Sequence, residues 1–307
     1  MNYILPIQCG AVDMAKKYKK LNLSLINIKN ILLKNYSINR QIKNNELILS
    51  YYLAGLIEGD GYISINNKNK VILGITFNLK DLYLAEKILN YFGQGFIVKR
   101  KTNSIELRFT TVKVLKKIIN LVNGKFRTPK IDQLYKLIDW MNKNHSMDIP
   151  KLIKDNSPLF NNSWLAGFID ADGHFYIRYS LKQLQCKFSL EQIMIYPKTQ
   201  ESFKPILDQI CLFLNVNLII RNKLKYKNLY YIIKIENKNS TQILIDYLNN
   251  NSLFSSKYLD FLEWKKAFNQ INNKTHLTDQ GRNIVYLAKN NMNNKRTYFN
   301  WDHLNFF

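Results

Sequence analysis

Two nine-residue stretches decide how this chain reads. The first is Leu53-Ala54-Gly55-Leu56-Ile57-Glu58-Gly59-Asp60-Gly61, and the second is Leu165-Ala166-Gly167-Phe168-Ile169-Asp170-Ala171-Asp172-Gly173. They match position by position and hold five of the chain's eleven glycines. Gly55 and Gly59, like Gly167 and Ala171, are small residues at i and i+4, hence on one helical face. Small residues there let two helix backbones approach closely. Leu56, Ile57, Phe168 and Ile169 turn toward the core of each domain. Gly61 and Gly173 follow the last helical turn, where a residue free to take positive φ is favoured. Each stretch also places an acid, Asp60 or Asp172, at a helix C-terminus, where the helix dipole is already negative. An unfavourable charge placed twice implies a cation nearby. Pairing the helices about an axis brings the two aspartates together. Two carboxylates and adjacent carbonyls make an all-oxygen site suited to Mg²⁺, with Mn²⁺ as a substitute.

The surrounding sequence repeats in phase with these motifs. After the first, Ile63 and Ile65 alternate with Tyr62, Ser64 and Asn66, the period of a half-buried strand. The turn Asn66-Asn67-Lys68-Asn69 leads to a second strand over Val71–Phe77. A helix follows over Leu79–Phe92, stopped by Gly93. Phe96–Lys101 and Ile105–Thr110 form a hairpin, and Val112–Val122 and Lys130–Asn142 are helices. After the second motif the order returns: strands at Phe175–Ile177 and Cys186–Gln192, a helix over Ser202–Leu214, a hairpin of Leu218–Leu224 with Tyr230–Glu236, and helices over Thr241–Asn249 and Lys257–Ile271. A duplication of this length implies a pseudo-two-fold axis. The organisation is therefore a basic N-terminal extension (1–45), a first repeat (46–145), a Pro- and Asn-rich linker (146–162), a second repeat (163–275) and an aromatic-rich C-terminal extension (276–307).

Both motifs resemble the signature of the LAGLIDADG homing endonucleases, in the single-chain form that carries two copies. The likeness spans about residues 46–272. It implies an α+β fold of two pseudo-symmetric αββαββα repeats, with two antiparallel sheets forming a saddle and the motif helices packed at the domain interface. It implies cleavage of double-stranded DNA at a long asymmetric target by metal-dependent phosphodiester hydrolysis. In that family the last acid of each motif binds metal, so Asp60 and Asp172 take that role, with the carbonyls of Gly59 and Ala171 as further ligands. Glu58 and Asp170 are structural by the same likeness. The family's ancillary active-site lysine matches Lys130 in Phe126-Arg127-Thr128-Pro129-Lys130 and Lys257 in Phe254-Ser255-Ser256-Lys257. A polar residue on the second strand of each repeat, Asn78 or Gln192, positions water. Outward strand residues expected on DNA are Ser64, Asn66, Lys68, Lys70, Lys99, Lys101 and Arg108 in the first repeat. In the second they are Tyr176, Arg178, Lys182, Lys187, Arg221, Lys223 and Lys225. The alternative is an RNA maturase of the same fold, which assists splicing of its host intron with or without cutting DNA.

Composition agrees. In 307 residues, 45 Lys and Arg against 22 Asp and Glu leave a formal charge of +23. Such an excess attracts polyanions: nucleic acid, an anionic membrane surface or acidic protein. Lys, Asn, Ile, Tyr and Phe are also the residues of A/T-rich codons, which fits synthesis in mitochondria. Cys9, Cys186 and Cys211 are odd in number and far apart, so a disulfide scaffold or cysteine zinc site is not expected. The four histidines form no HExxH. No apolar run approaches the ~18 residues of a membrane span, and the N-terminus does not read as a secretory signal. No Walker loop, dinucleotide fingerprint or GxSxG is present. A monomer bound to duplex DNA, with host intron RNA as a further partner, is the expectation.

Overall fold

A computed structural model describes residues 44–180, 183–223 and 228–305. Residues 48–307 form one compact unit, distinct from residues 1–47. Most of the expected N-terminal extension therefore lies outside the described residues.

The first motif closes helix α1, residues 44–60. Then come β1 (Gly61–Ile65), β2 (Val71–Asn78), α2 (Leu82–Phe92), β3 (Phe96–Lys99), β4 (Ser104–Phe109), α3 (Val112–Val122) and α4 (Ile131–His145). The second motif is α5 (Trp164–Asp172), followed by β5 (Gly173–Tyr179), β6 (Leu184–Ile193), α6 (Lys204–Leu214), β7 (Leu218–Lys223), β8 (Asn228–Ile235), α7 (Lys238–Asn250) and α8 (Lys257–Asn272). Two four-stranded antiparallel sheets result, ordered β1-β2-β4-β3 and β5-β6-β8-β7. The same topology twice is the pseudo-symmetry that the duplicated motif implied.

Alternation gives each sheet a helix-covered face. In β2, Val71, Leu73, Ile75 and Phe77 are buried; in β6, Cys186, Phe188 and Leu190 are buried. The intervening residues form the outer face. The turns use their sequence signals. Gly93 takes φ 80 and caps α2 through its N–H to Leu89 O, the left-handed cap a glycine supplies without strain. Asn237 begins α7 at 238, three residues before the apolar spacing suggests, because its side chain accepts from Ser240 N.

Two expectations change. Gly61 and Gly173 are not left-handed; among the described glycines only Gly93, Gly95 and Gly124 have positive φ. The motif glycines are needed for space. A β-carbon at Gly61 would lie 2.6 Å from Ile57 O, and one at Gly173 2.7 Å from Ile169 O. The C-terminal extension is also more than an aromatic tail. It forms α9 (Asp279–Asn290), capped by the Thr278 hydroxyl, which accepts from Gly281 N. Beyond it, Asn293 N donates to Asp260 Oδ1 (2.9 Å), and the His303 ring stacks on Tyr258 at 4.2 Å between centroids. Trp301 stacks on Tyr83 of the first repeat at 5.5 Å. The tail thus crosses from one repeat to the other.

Candidate active site

The site is built where α1 meets α5. A β-carbon at Gly55 would sit 2.0 Å from Trp164 O, and one at Gly167 2.0 Å from Tyr52 O. Each helix thus presses its backbone into the gap left by the other's glycine. One turn further, a β-carbon at Gly59 would be 2.1 Å from Ala171 Cβ and 3.2 Å from Asp172 Oδ2. The i, i+4 small residues therefore set how closely the two C-terminal ends approach.

The penultimate acids anchor this contact. Glu58, fully buried, accepts from Arg127 N (2.9 Å), Thr128 N (2.6 Å), Thr128 Oγ1 (2.6 Å) and, across the interface, Trp164 Nε1 (2.6 Å). Asp170 accepts from Phe254 N (2.7 Å), Ser255 N (3.0 Å), Ser255 Oγ (2.5 Å) and Tyr52 Oη (2.7 Å). Each acid thus ties its own repeat's loop to the aromatic just ahead of the other motif. Burial raises the Glu58 carboxyl, and the Thr128, Arg127 and Trp164 donors pull it back. Every carboxylate oxygen here is occupied by donors, which leaves these acids as fixtures of the interface.

Those same loops deliver the two lysines. Lys130 Nζ donates to Gly59 O (2.5 Å) and Gly61 O (3.1 Å). Lys257 Nζ donates to Ala171 O (2.8 Å) and Ile169 O (3.2 Å). Each ammonium caps the carbonyl end of its own motif helix, which favours positive charge there. Burial lowers both lysines, and the neighbouring aspartates oppose that. Burial raises Asp60, against the pull of Lys257 and Lys130. Asp172 is pushed up to about 7 by burial and then by the charge of Asp60. Asp60 by its charge raises Asp172, and the two aspartates with the two buried lysines form a single electrostatic cluster. Gln192 joins it, its Nε2 donating to Asp172 Oδ2 at 2.7 Å.

Asn78 does not join it. Gly61 pairs with Ile75 and Gly173 with Leu190, so Phe77, not Asn78, is the register partner of Gln192. One residue along a strand is the opposite face. Asn78 is exposed, and its side chain accepts from Lys80 N (3.2 Å) to begin a short 3₁₀ turn. The two aspartates therefore differ: Asp172 has an amide donor where the first repeat has a phenyl ring.

One acid escaped the sequence reading. Asp81, at the end of that 3₁₀ turn, is 7% exposed. Its Oδ1 accepts from Ser256 N at 2.6 Å, beside Lys257 in the other repeat. Burial raises it, and its charge acts on Asp60, Tyr52 and Lys257. In sequence, Leu79-Lys80-Asp81 has the pattern of an ordinary helix start.

The donor set suits a hard divalent cation: two carboxylates, with carbonyls at the ends of two helices. Among the described residues no group of three or more His, Cys, Asp or Glu is placed to hold a metal. A cation here would rely on these two carboxylates, on the Gly59 and Ala171 carbonyls that Lys130 and Lys257 now occupy, and on oxygens brought by substrate and water.

The model of the LAGLIDADG endonuclease family matches residues 53–141 and 165–268. The chain belongs to the LAGLIDADG endonuclease family. It is similar to the intron-encoded DNA endonuclease aI3 of Saccharomyces cerevisiae, 29% identical over 98% of this chain and 81% of that protein. It is also similar to the intron-encoded RNA maturase bI4 of the same yeast, 33% identical over 52% of this chain and 24% of that protein. Among solved structures, the LAGLIDADG homing endonuclease I-GzeII in complex with its DNA target superposes with a TM-score of 0.61. That likeness is 20% identical and covers 81% of this chain and 99% of the other, so the two share a fold.

Within this LAGLIDADG chain most of the expected nucleic-acid contacts reach the outer sheet faces or their turns. Ser64 is exposed on β1, and Lys68 and Lys70 are exposed in the turn after it. Asn66 shapes that turn, its Oδ1 accepting from Lys68 N and Lys70 N, both at 2.9 Å. Lys101 is exposed in the β3–β4 turn, and Arg108 lies on the outer face of β4. Tyr176 and Arg178 are on the outer face of β5, where Tyr176 stacks on His174. Lys187 pairs with Glu236 (2.7 Å) and Arg221 with Glu191 (3.3 Å). Lys99 differs from expectation. It pairs with Ile105 while Ile97 pairs with Leu107, so it stands on the helix-side face at the end of β3. Arg100, one residue on, is the outer-face residue that the sequence reading missed. Lys182 and Lys225 lie outside the described residues, as does the side chain of Lys223. No described helix is long and apolar enough to cross a membrane.

Proposed function

We propose that this protein is a site-specific double-strand DNA endonuclease of intron homing that hydrolyses phosphodiester bonds with Mg²⁺. The observation that carries the reading is the convergence of Asp60 and Asp172 at the seam of two paired motif helices, with Lys130 and Lys257 beside them. The outer faces of the two sheets hold duplex DNA, since a β-ribbon fits the major groove. Asp60 and Asp172 hold the divalent ion, with Gly59 and Ala171 carbonyls at hand once their lysines shift. When bound, that ion supplies Lewis acidity and charge neutralisation at the scissile phosphate. Lys130 and Lys257 place positive charge where phosphoryl charge develops. Gln192 orients the Asp172 carboxylate. Mn²⁺ is the expected substitute, because the donors are all oxygen. The protein acts as a monomer, since one chain supplies both halves of the site. Its A/T-codon composition and its intron-encoded relatives support synthesis in the mitochondrion.

The likeness to an RNA maturase over half the chain favours a second reading, in which the protein binds its host intron RNA and assists splicing. One experiment separates them. Purified protein is mixed with Mg²⁺ and duplex DNA spanning the intron-free junction of its host gene, and separately with the intron RNA. Cleavage at one site supports the endonuclease. Tight RNA binding without cleavage supports the maturase alone.

A further inference from the structure

The outer face of the first sheet carries a polar cluster built on one covered carboxylate, Glu106. Glu106 lies on β4, pointing away from the helices, yet its side chain is only 10% exposed. It is covered by other side chains. Arg100 gives it Nε (2.7 Å) and Nη2. Arg108 gives it Nε (2.8 Å) and Nη2 (2.7 Å). Tyr62 Oη donates to it at 3.0 Å. The tyrosine reaches across because residue 74 is glycine: a β-carbon there would be 2.5 Å from the Tyr62 ring.

This arrangement leaves a defined chemistry exposed. Each arginine spends its Nε–Nη2 edge on the carboxylate. With that edge turned to Glu106, the Nη1 end of each guanidinium lies on the side away from the carboxylate. The arginines keep 44% and 22% of their side-chain surface open to solvent, above the buried carboxylate. A guanidinium fork matches O6 and N7 of guanine in the major groove, the commonest specific contact of its kind. A lysine cannot present that geometry. Two positive charges over one negative also leave the cluster net cationic, as a DNA surface needs.

In the second sheet the acid sits on another strand: Arg221, the register counterpart of Arg100, pairs with Glu191 of β6 at 3.3 Å. By ladder register, Glu106 corresponds to Ile232, Arg108 to Lys234, Tyr62 to His174 and Gly74 to Ser189. Ile232 is buried and apolar. The asymmetry is therefore local and chemical, within an otherwise shared topology.

We propose that Glu106 fixes Arg100 and Arg108 as a preorganised guanine-reading pair, so that the half-site under the first sheet requires guanine at the positions they face. This rests on the endonuclease reading. The test selects cleaved targets from a randomised duplex library with the full-length protein and Mg²⁺. The wild-type protein and the variants Arg108→Lys, Arg100→Lys and Glu106→Gln are then profiled base by base on the selected target, with melting temperatures measured alongside. Arg108→Lys and Arg100→Lys should each keep the fold and lose roughly tenfold to hundredfold of guanine discrimination at one position, leaving other positions unchanged. Glu106→Gln should blur both guanine positions while strengthening binding to unrelated duplex, because the cluster gains one net positive charge. A profile that keeps full guanine discrimination in Arg108→Lys, Arg100→Lys and Glu106→Gln overturns the inference while leaving the endonuclease intact. So does a wild-type target with no required guanine. If the wild-type protein cuts nothing in the library, both readings fall together.

Discussion

Replacing Asp172 by Asn should stabilise the metal-free protein while removing its activity. The carboxyl is buried beside Asp60 and is pushed up to about 7, against an ordinary 3.8. A group raised in the folded state favours folding only while protonated. Its contribution is intact below the unfolded value and is lost as pH rises through the folded one. Relative to a neutral side chain, the raised carboxyl therefore costs about 2 kcal/mol at pH 5, where it is protonated in the fold but ionised in the unfolded chain, and about 4 kcal/mol by pH 8.5, where it is ionised in both. Asn carries no charge, and its side-chain carbonyl still accepts from Gln192. In a unit of this size roughly 2 °C accompanies each kcal/mol, so Asp172→Asn should melt about 8 °C above wild type at pH 8.5. The assay is thermal unfolding in EDTA at pH 5 and pH 8.5. A variant no more stable than wild type at pH 8.5, or a gap independent of pH, would refute the claim that these aspartates are held together at a cost in stability. Saturating Mg²⁺ should narrow the gap by binding the wild type alone.

Other expectations follow from the same interface. Gly55→Ala and Gly167→Ala each force a methyl into a backbone carbonyl 2.0 Å away; each should cost about 3 kcal/mol or more in a denaturant titration. Glu58→Gln turns an amide NH₂ toward donors that need an acceptor, and about 2–4 kcal/mol of stability should be lost. Lys257→Met should fold, because its stem is already buried, but cleave at least tenfold more slowly in single-turnover assays with binding retained. Duplex binding should weaken with salt, log K falling against log[salt] with a slope of about −0.9 per phosphate neutralised; a flat dependence would count against the sheet faces as the DNA surface.

The motif helices were legible because a small residue at i and i+4, followed by an acid, repeats in phase with the whole chain. Glu58 and Asp170 were legible as structural residues by family likeness, but their partners were not. Tyr52 and Trp164 sit just before the motifs, and only the crossing of the helices reveals that each serves the other's acid. The misplacement of Asn78 came from strand parity. Ladder pairing decides which face a residue takes, and a polar residue ending each strand cannot reveal a shift of one. Lys99 failed for the same reason on the short edge strand β3. Asp81 was hidden because its role depends on a loop 175 residues away. Helix α9 also left a signal, Thr278-Asp279 before apolar spacing at Val285 and Ala288.

The central claim is that Asp60 and Asp172 together cut DNA. It is tested most directly by cleavage of the selected duplex target in Mg²⁺ by wild type, Asp60→Asn, Asp172→Asn and the double variant, with binding measured separately. Wild type should cleave at one site, and all three variants should bind fully without double-strand cleavage. Cleavage by the double variant at the wild-type rate would contradict the claim.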